Sequence, residues 1–178
     1  MSTDPNTPQP VPALCQDNID CLQRLTRLLE RLDTDQFTGP VTPCDSGIGA
    51  HVRHILDHYD AFLAGVATGL IDYDARGRCQ DTECSPDFAR QRIQRTCDQL
   101  AHLSVLPDAV TVKMDCGSSL SRTLTTPSSG LRELQFLVSH TVHHDALIAA
   151  AAKALEVPPE SDYGVAPSTI RHLKRQQG

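Results

Sequence analysis

The chain has no tryptophan, and aromatic residues make up only 4% of it. Its 39% hydrophobic content therefore comes mainly from Leu, Val, Ile and Ala, a composition suited to packed helices and short of the aromatic bulk of large sandwiches. No block of Lys and Arg occurs and the formal net charge is -6. An acidic chain of this kind does not grip a phosphate backbone, so no nucleic acid is expected as a partner. No apolar run approaches the roughly 20 residues of a membrane span. The longest, Ala146 to Ala152, is far too short, and no membrane association is expected. The opening residues, MSTDPNTPQPVPA, contain neither a basic segment nor an apolar one, so no secretory signal is read and the cytoplasm is the expected compartment.

The cysteines at positions 15, 21, 44, 79, 84, 97 and 116 are odd in number and include no CxxC pair. That argues against a disulfide framework and a zinc knuckle, and leaves reduced thiols as the expectation, with Cys79 and Cys84 the closest pair. The metalloprotease sequence HExxH is also missing. In His140-Thr141-Val142-His143-His144 the second position is Thr, so the general base built into those enzymes is lacking.

What is present is a succession of helical patterns. At 178 residues the chain fits one domain with an adequate core. Residues 1–12 carry four prolines and read as a disordered or draped arm. The bundle is expected over 13–157, and a tail with a short helix packing back on it over 158–178. From Leu14 leucines recur at three- and four-residue steps and give the first helix. A Pro/Gly-containing loop follows over 33–45. Asp45 or Ser46 caps the second helix, whose apolar residues from Ile48 to Val66 fall within roughly 120° of arc. A polar loop is expected over 69–83. Ser85-Pro86-Asp87 then supplies a cap, a first-turn proline and an acid at the positive helix end, and the third helix runs to about Leu103.

Residues 110–126 alternate apolar and polar and turn at Cys116-Gly117-Ser118-Ser119, which predicts a short β-hairpin or extended excursion. Pro127-Ser128-Ser129 opens a fourth helix reaching about Leu155, apolar over most of its circumference and so expected to be buried. A last short helix is expected over about 168–175. The fold class is all-α, a four-helix bundle with a possible hairpin between the third and fourth helices.

The histidines are concentrated on two of these helices. His51, His54 and His58 lie on the second, and His140, His143 and His144 on the fourth; His102 and His172 lie elsewhere. His140 and His144 project about 40° apart on the helix wheel, one turn above the other, so two imidazoles can converge on one ion. The alternative is a pair of core histidines hydrogen-bonded to backbone, carboxylate or water. The second histidine-rich helix favours the metal reading. Periodicity does not choose its partner on the second helix: His51 and His58 flank the apolar stripe more closely than His54 does.

With SGIGAHVRHI on the second helix and SHTVHHDALI on the fourth, the chain resembles the DinB/YfiT-like metal-binding superfamily over approximately residues 14–155. The resemblance implies a four-helix bundle with one ligand eight residues after the capping Ser, which is His54, and an HxxxH pair, His140 and His144. It implies one divalent metal ion (Zn, Fe or Ni) and a small-molecule substrate, with a low-molecular-weight thiol as partner and an S-transferase-like reaction. A hydrolase or isomerase, or a binding module without turnover, is the alternative, and a homodimer is plausible for such bundles. Many relatives follow HxxxH with Arg-Gly-Gln, where this chain has Asp145-Ala146-Leu147, so a relative's substrate does not transfer simply. Three neutral imidazoles leave coordination positions open, as in catalytic sites. Asp57, Tyr59, Asp60 and Asp145 are candidates to orient the ligating imidazoles. Asp72, Tyr73, Asp74 and Arg76, just after the second helix, are candidates to line the mouth of the site.

Overall fold

The computed structural model describes residues 10–42, 46–115, 117 and 124–176. The first helix, α1 (Pro10–Leu29), starts earlier than the leucine pattern suggests. Pro10 and Pro12 sit in its first turn, where an amide hydrogen has no intrahelical partner to lose. Residues 1–9 of the expected arm lie outside the described residues. Within the expected loop 33–45, Thr34–Thr38 forms a short helix, α2. A capping box closes it: the Gln36 amide donates to Asp33 Oδ1 at 2.8 Å and the Asp33 amide to Gln36 Oε1 at 3.0 Å. Its Phe37 is fully buried. The next helix, α3 (Gly47–Val66), follows Ser46, which occupies the cap position but makes no side-chain cap bond. Asp45, the other expected cap, lies outside the described residues.

The segment 69–83 was expected to be a loop throughout, and it is not. It contains β1 (Leu70–Asp72) and α4 (Gln80–Cys84). A three-residue strand is too short to show period-2 alternation; β1 exists because it pairs in parallel with β2 (Val110–Met114). Ser85 accepts from the Phe88 amide at 3.2 Å and starts α5 (Pro86–Ala101). The expected hairpin is present: β2 pairs antiparallel with β3 (Leu124–Ser128). Its tip, which includes Cys116 and residues 118–123, lies outside the described residues. Pro127 and Ser128 belong to β3 and not to the helix they were expected to open. The strand order β1-β2-β3 makes β3 an edge, where a missing donor is tolerated. Ser129 then accepts from the Arg132 amide at 3.3 Å and caps α6 (Gly130–Ala154). The last helix, α7 (Pro167–Gln176), covers the short helix expected over about 168–175, and none of its residues is fully buried.

The chain is thus mainly helical with a small three-stranded sheet. Both α1 and α3 pack against α5 and α6. Leu22, Leu25, Leu29, Ile55, Leu56, Phe62, Leu134, Leu137 and Ile148 fill the centre with no exposure. Contrary to expectation α6 is buried on one side only, because Phe136, Val138 and Val142 remain partly exposed. The polar groups between α1, α3 and α6 pair with one another: the Tyr59 hydroxyl donates to Asn18 Oδ1 at 2.8 Å and lies 3.1 Å from Thr141 Oγ1, and Asn18 donates to the Leu14 and Leu134 carbonyls. Gly65 lets the sheet approach α3; a Cβ there would lie 2.5 Å from the Leu70 carbonyl oxygen and 2.6 Å from Ile71 Cα. That close approach brings the residues after β1 over the α3–α6 seam. No helix among the described residues is long and apolar enough to cross a membrane.

Candidate metal centre

Helical spacing puts His51, His54 and His58 along one side of α3, and packing sets them against His140 and His144 of α6. Two cross-helix contacts form the rungs of a ladder. His54 Nε2 is 3.2 Å from His140 Nε2, and His51 Nδ1 is 3.0 Å from His144 Nδ1. The rings of His54, His140 and His144 are mutually adjacent, with centroids 4.6 to 5.0 Å apart. His58 completes the cluster from below, its ring 4.0 Å from that of His140. Ring nitrogens of His54, His58 and His140 lie within 4.8 Å of one another, a grouping able to hold a metal ion.

The imidazoles of the cluster are held in their uncharged form. Burial, followed by repulsion from neighbouring cationic groups, holds His54 at about 4, His144 at about 3 and His140 at about 2. Burial brings His58 to about 4, partly opposed by its bond to the His54 carbonyl. Burial lowers His51 as well. All five are therefore neutral near pH 7, the form in which imidazole carries a ligating lone pair. One buried atom, His140 Nδ1, has no hydrogen-bond partner among the described residues. Neither backbone nor carboxylate among the described residues satisfies that atom.

Distance and donor availability point to different third ligands. By distance His58 belongs with His54 and His140. Both nitrogens of His58 are engaged, however: Nδ1 donates to the His54 carbonyl at 2.8 Å, and Nε2 accepts from Arg76 at 2.8 Å. His144 uses Nδ1 towards His51, and no hydrogen bond among the described residues occupies its Nε2. Metal binding needs a free lone pair, which makes His144 the more available donor.

None of the candidates for orienting an imidazole does so among the described residues. Asp57, only 3% exposed, accepts from Arg92 at 3.1 Å and Arg53 at 3.5 Å. Asp60 pairs with Arg92 at 2.5 Å. Both point towards α5 because their helical positions turn them off the histidine face. Tyr59 belongs to the core network with Asn18. Asp145 accepts from the Tyr163 hydroxyl at 2.7 Å; burial pushes it up to about 7, against the pull of that bond and of Arg24. The orienting contacts come instead from the His54 carbonyl and from His51.

The segment after β1 does reach the cluster. The Tyr73 ring stacks 5.3 Å from His58 while its hydroxyl donates to buried Glu133 at 2.9 Å. Arg76 touches His58. Asp72 is turned away, accepting from Lys113 at 2.7 Å, and Asp74 is exposed. Phe136, not singled out in the sequence, packs 5.5 Å from the His140 ring; its placement four residues before His140 on α6 was the available signal.

No family model matches the chain. A stretch of 110 residues, 60% of the chain, is 32% identical to FK506-binding protein 5 of Rhizopus delemar, and it covers 28% of that protein's length. The chain therefore corresponds to a minor part of that relative, and the ligand in the relative's name describes that protein.

Proposed function

We propose that the protein is a divalent-metal-binding, DinB-like bundle holding one ion through His54, His140 and His144. The observation that supports this most is the cluster of neutral imidazoles, in which ring nitrogens of His54, His58 and His140 lie within 4.8 Å of one another. Zinc, iron and nickel all accept imidazole donors. Such an ion, when bound with open positions, supplies Lewis acidity and stabilises an anionic nucleophile such as a thiolate. The reaction proposed is thiol transfer from a low-molecular-weight thiol to a small electrophile in the cytoplasm. A metal-assisted hydrolase or isomerase, or a binding module, would use the same ligands.

The chain's own residues support this reading in three ways. The α3–α6 seam keeps the imidazoles unprotonated. His51 engages His144 Nδ1 and thereby orients that ring. Phe136 and Tyr73 shield one side of the cluster from water.

Elemental analysis of tag-free wild type beside His140→Ala and His144→Ala tests the proposal. About one metal per chain in wild type and none in either variant is expected. No metal in wild type, even after anaerobic reconstitution with zinc and ferrous iron, would refute it. Retention in His144→Ala with loss in His58→Ala would move the third ligand to His58. A thiol-plus-electrophile screen on the loaded protein then separates enzyme from binding module.

A further inference from the structure

The surrounding chain grips His58 on three sides. Its Nδ1 lies 2.8 Å from the His54 carbonyl oxygen, which can only accept, so Nδ1 carries the ring proton and Nε2 the lone pair. That lone pair is taken by Arg76, whose Nη1 lies 2.8 Å away and can only donate. Tyr73 stacks on the ring, with centroids 5.3 Å apart and planes 29° apart. Tyr73 and Arg76 both come from one turn after β1, and that turn is itself well tied. The Tyr73 amide donates to the Lys113 carbonyl at 3.0 Å. Asp72 Oδ1 accepts from the Asp74 and Ala75 amides while Oδ2 holds Lys113 at 2.7 Å. On its other side Arg76 lines a cavity with Asp57, Asp60 and Asp72, carboxylates that favour a cation in this place. His58 is therefore close to the other imidazoles and yet occupied. Its ring lies 4.0 Å from that of His140, and its nitrogen is within 4.8 Å of those of His54 and His140.

We propose that Arg76 is a positioning residue that withholds His58 from the metal ion. By occupying Nε2 it leaves the ion three imidazoles, His54, His140 and His144, and so reserves a coordination position for a substrate atom. An unprotonated imidazole nitrogen has one lone pair, so a bond to Arg76 and a bond to an ion exclude each other. Without Arg76, His58 is near enough to serve as a fourth nitrogen ligand and close the site, as the ligands of structural centres do. The inference rests on the metal-centre reading and adds to it the residue that decides how many imidazoles the ion receives.

The test is the zinc affinity of the full-length protein, measured by competition with a chromophoric chelator in wild type, Arg76→Met, His58→Ala and the Arg76→Met/His58→Ala double variant. Methionine keeps an unbranched side chain and removes both donor and charge. Arg76→Met should bind zinc at least about tenfold more tightly than wild type, because a charge-assisted hydrogen bond no longer competes for Nε2. His58→Ala should bind as wild type does, and so should the double variant, since the gain runs through His58. In zinc-loaded protein the NMR signal of His58 Nε2 should move to the metal-bound position in Arg76→Met and not in wild type, a change that a merely structural arginine would not produce. Unchanged or weaker zinc binding in Arg76→Met, or loss of zinc in His58→Ala, would overturn the inference. An equal gain in the double variant would also overturn it, by reducing the role of Arg76 to its charge. Thermal melts of the metal-free variants confirm that they are folded, and Arg76→Ala, which removes the same donor, replaces Arg76→Met if that variant is not. Zinc bound by wild type with no gain in Arg76→Met removes this inference and leaves the metal centre standing. No zinc bound by any variant removes the metal centre, and this inference with it.

Discussion

Acidifying the metal-free protein from pH 7 to pH 5 should remove much of its stability. A free imidazole titrates near ~6.5, whereas the folded chain holds His54 and His58 at about 4, His144 at about 3 and His140 at about 2. Between those limits the unfolded chain takes up protons that the native state refuses, so stability rises with pH and is lost on acidification. At pH 5 each of these imidazoles accounts for about 2 kcal/mol of loss, and the four together for roughly 8. Asp145 works in the opposite sense. Held at about 7 in the fold, it keeps a proton that the unfolded carboxyl gives up above ~3.9, so the same acidification returns about 2 kcal/mol. The net loss is on the order of 6 kcal/mol, a large share of the ~5–15 kcal/mol that holds a domain together. At about 2–4 °C per kcal/mol for a chain of this size, Tm should fall by roughly 10–20 °C. Calorimetry at half-unit pH steps after removal of metal measures it, and a His54→Gln/His140→Gln double variant should show a clearly shallower dependence. A wild-type Tm that is flat between pH 7 and 5.5 would refute a cluster held neutral by burial.

Zinc at about a hundred times its dissociation constant should stabilise wild type by about 2.7 kcal/mol; thermal melts should show this shift vanish in His140→Ala. Arg92→Met leaves Asp57, 3% exposed, with only the longer contact to Arg53, and should cost about 3–5 kcal/mol. Urea melts should show Arg92→Met/Asp57→Leu recovering more than half of that loss, and no recovery would contradict a buried uncompensated carboxylate. Gly65→Ala drives a methyl group into the Leu70 and Ile71 backbone and should cost about 1–3 kcal/mol, with an equal midpoint in denaturant as the contrary result.

The helical framework was legible because its signals are local. Ser85-Pro86-Asp87 marks the start of α5 by cap, ring and charge within three residues, and the stripe from Ile48 to Val66 marks α3 by its period. Elements lying in the connections were not legible. The strand β1 has three residues and depends on β2, some forty positions away; α2 and α4 have five residues each, too few to show a helical period. Pro127 illustrates the ambiguity, since the same residue suits a helix start or an edge strand, and only the neighbour on one side of β3 decides between them.

At the site the division is similar. Sequence by itself determined which two helices carry the imidazoles and that His140 and His144 stack one turn apart, because residue spacing along a helix fixes direction. It left His51, His54 and His58 unresolved, because the three differ by where α3 meets α6 and not by their local pattern. Only tertiary packing set His54 against His140 and His51 against His144, engaged both nitrogens of His58, and turned Asp57 and Asp60 to Arg92. It also brought Arg76 from the segment beyond β1 to the edge of the cluster, since the strand pairing that carries it there joins residues distant in the chain. Proton affinities belong to the same category: an imidazole's basicity depends on the water and charge around it, and both are set only when the helices close.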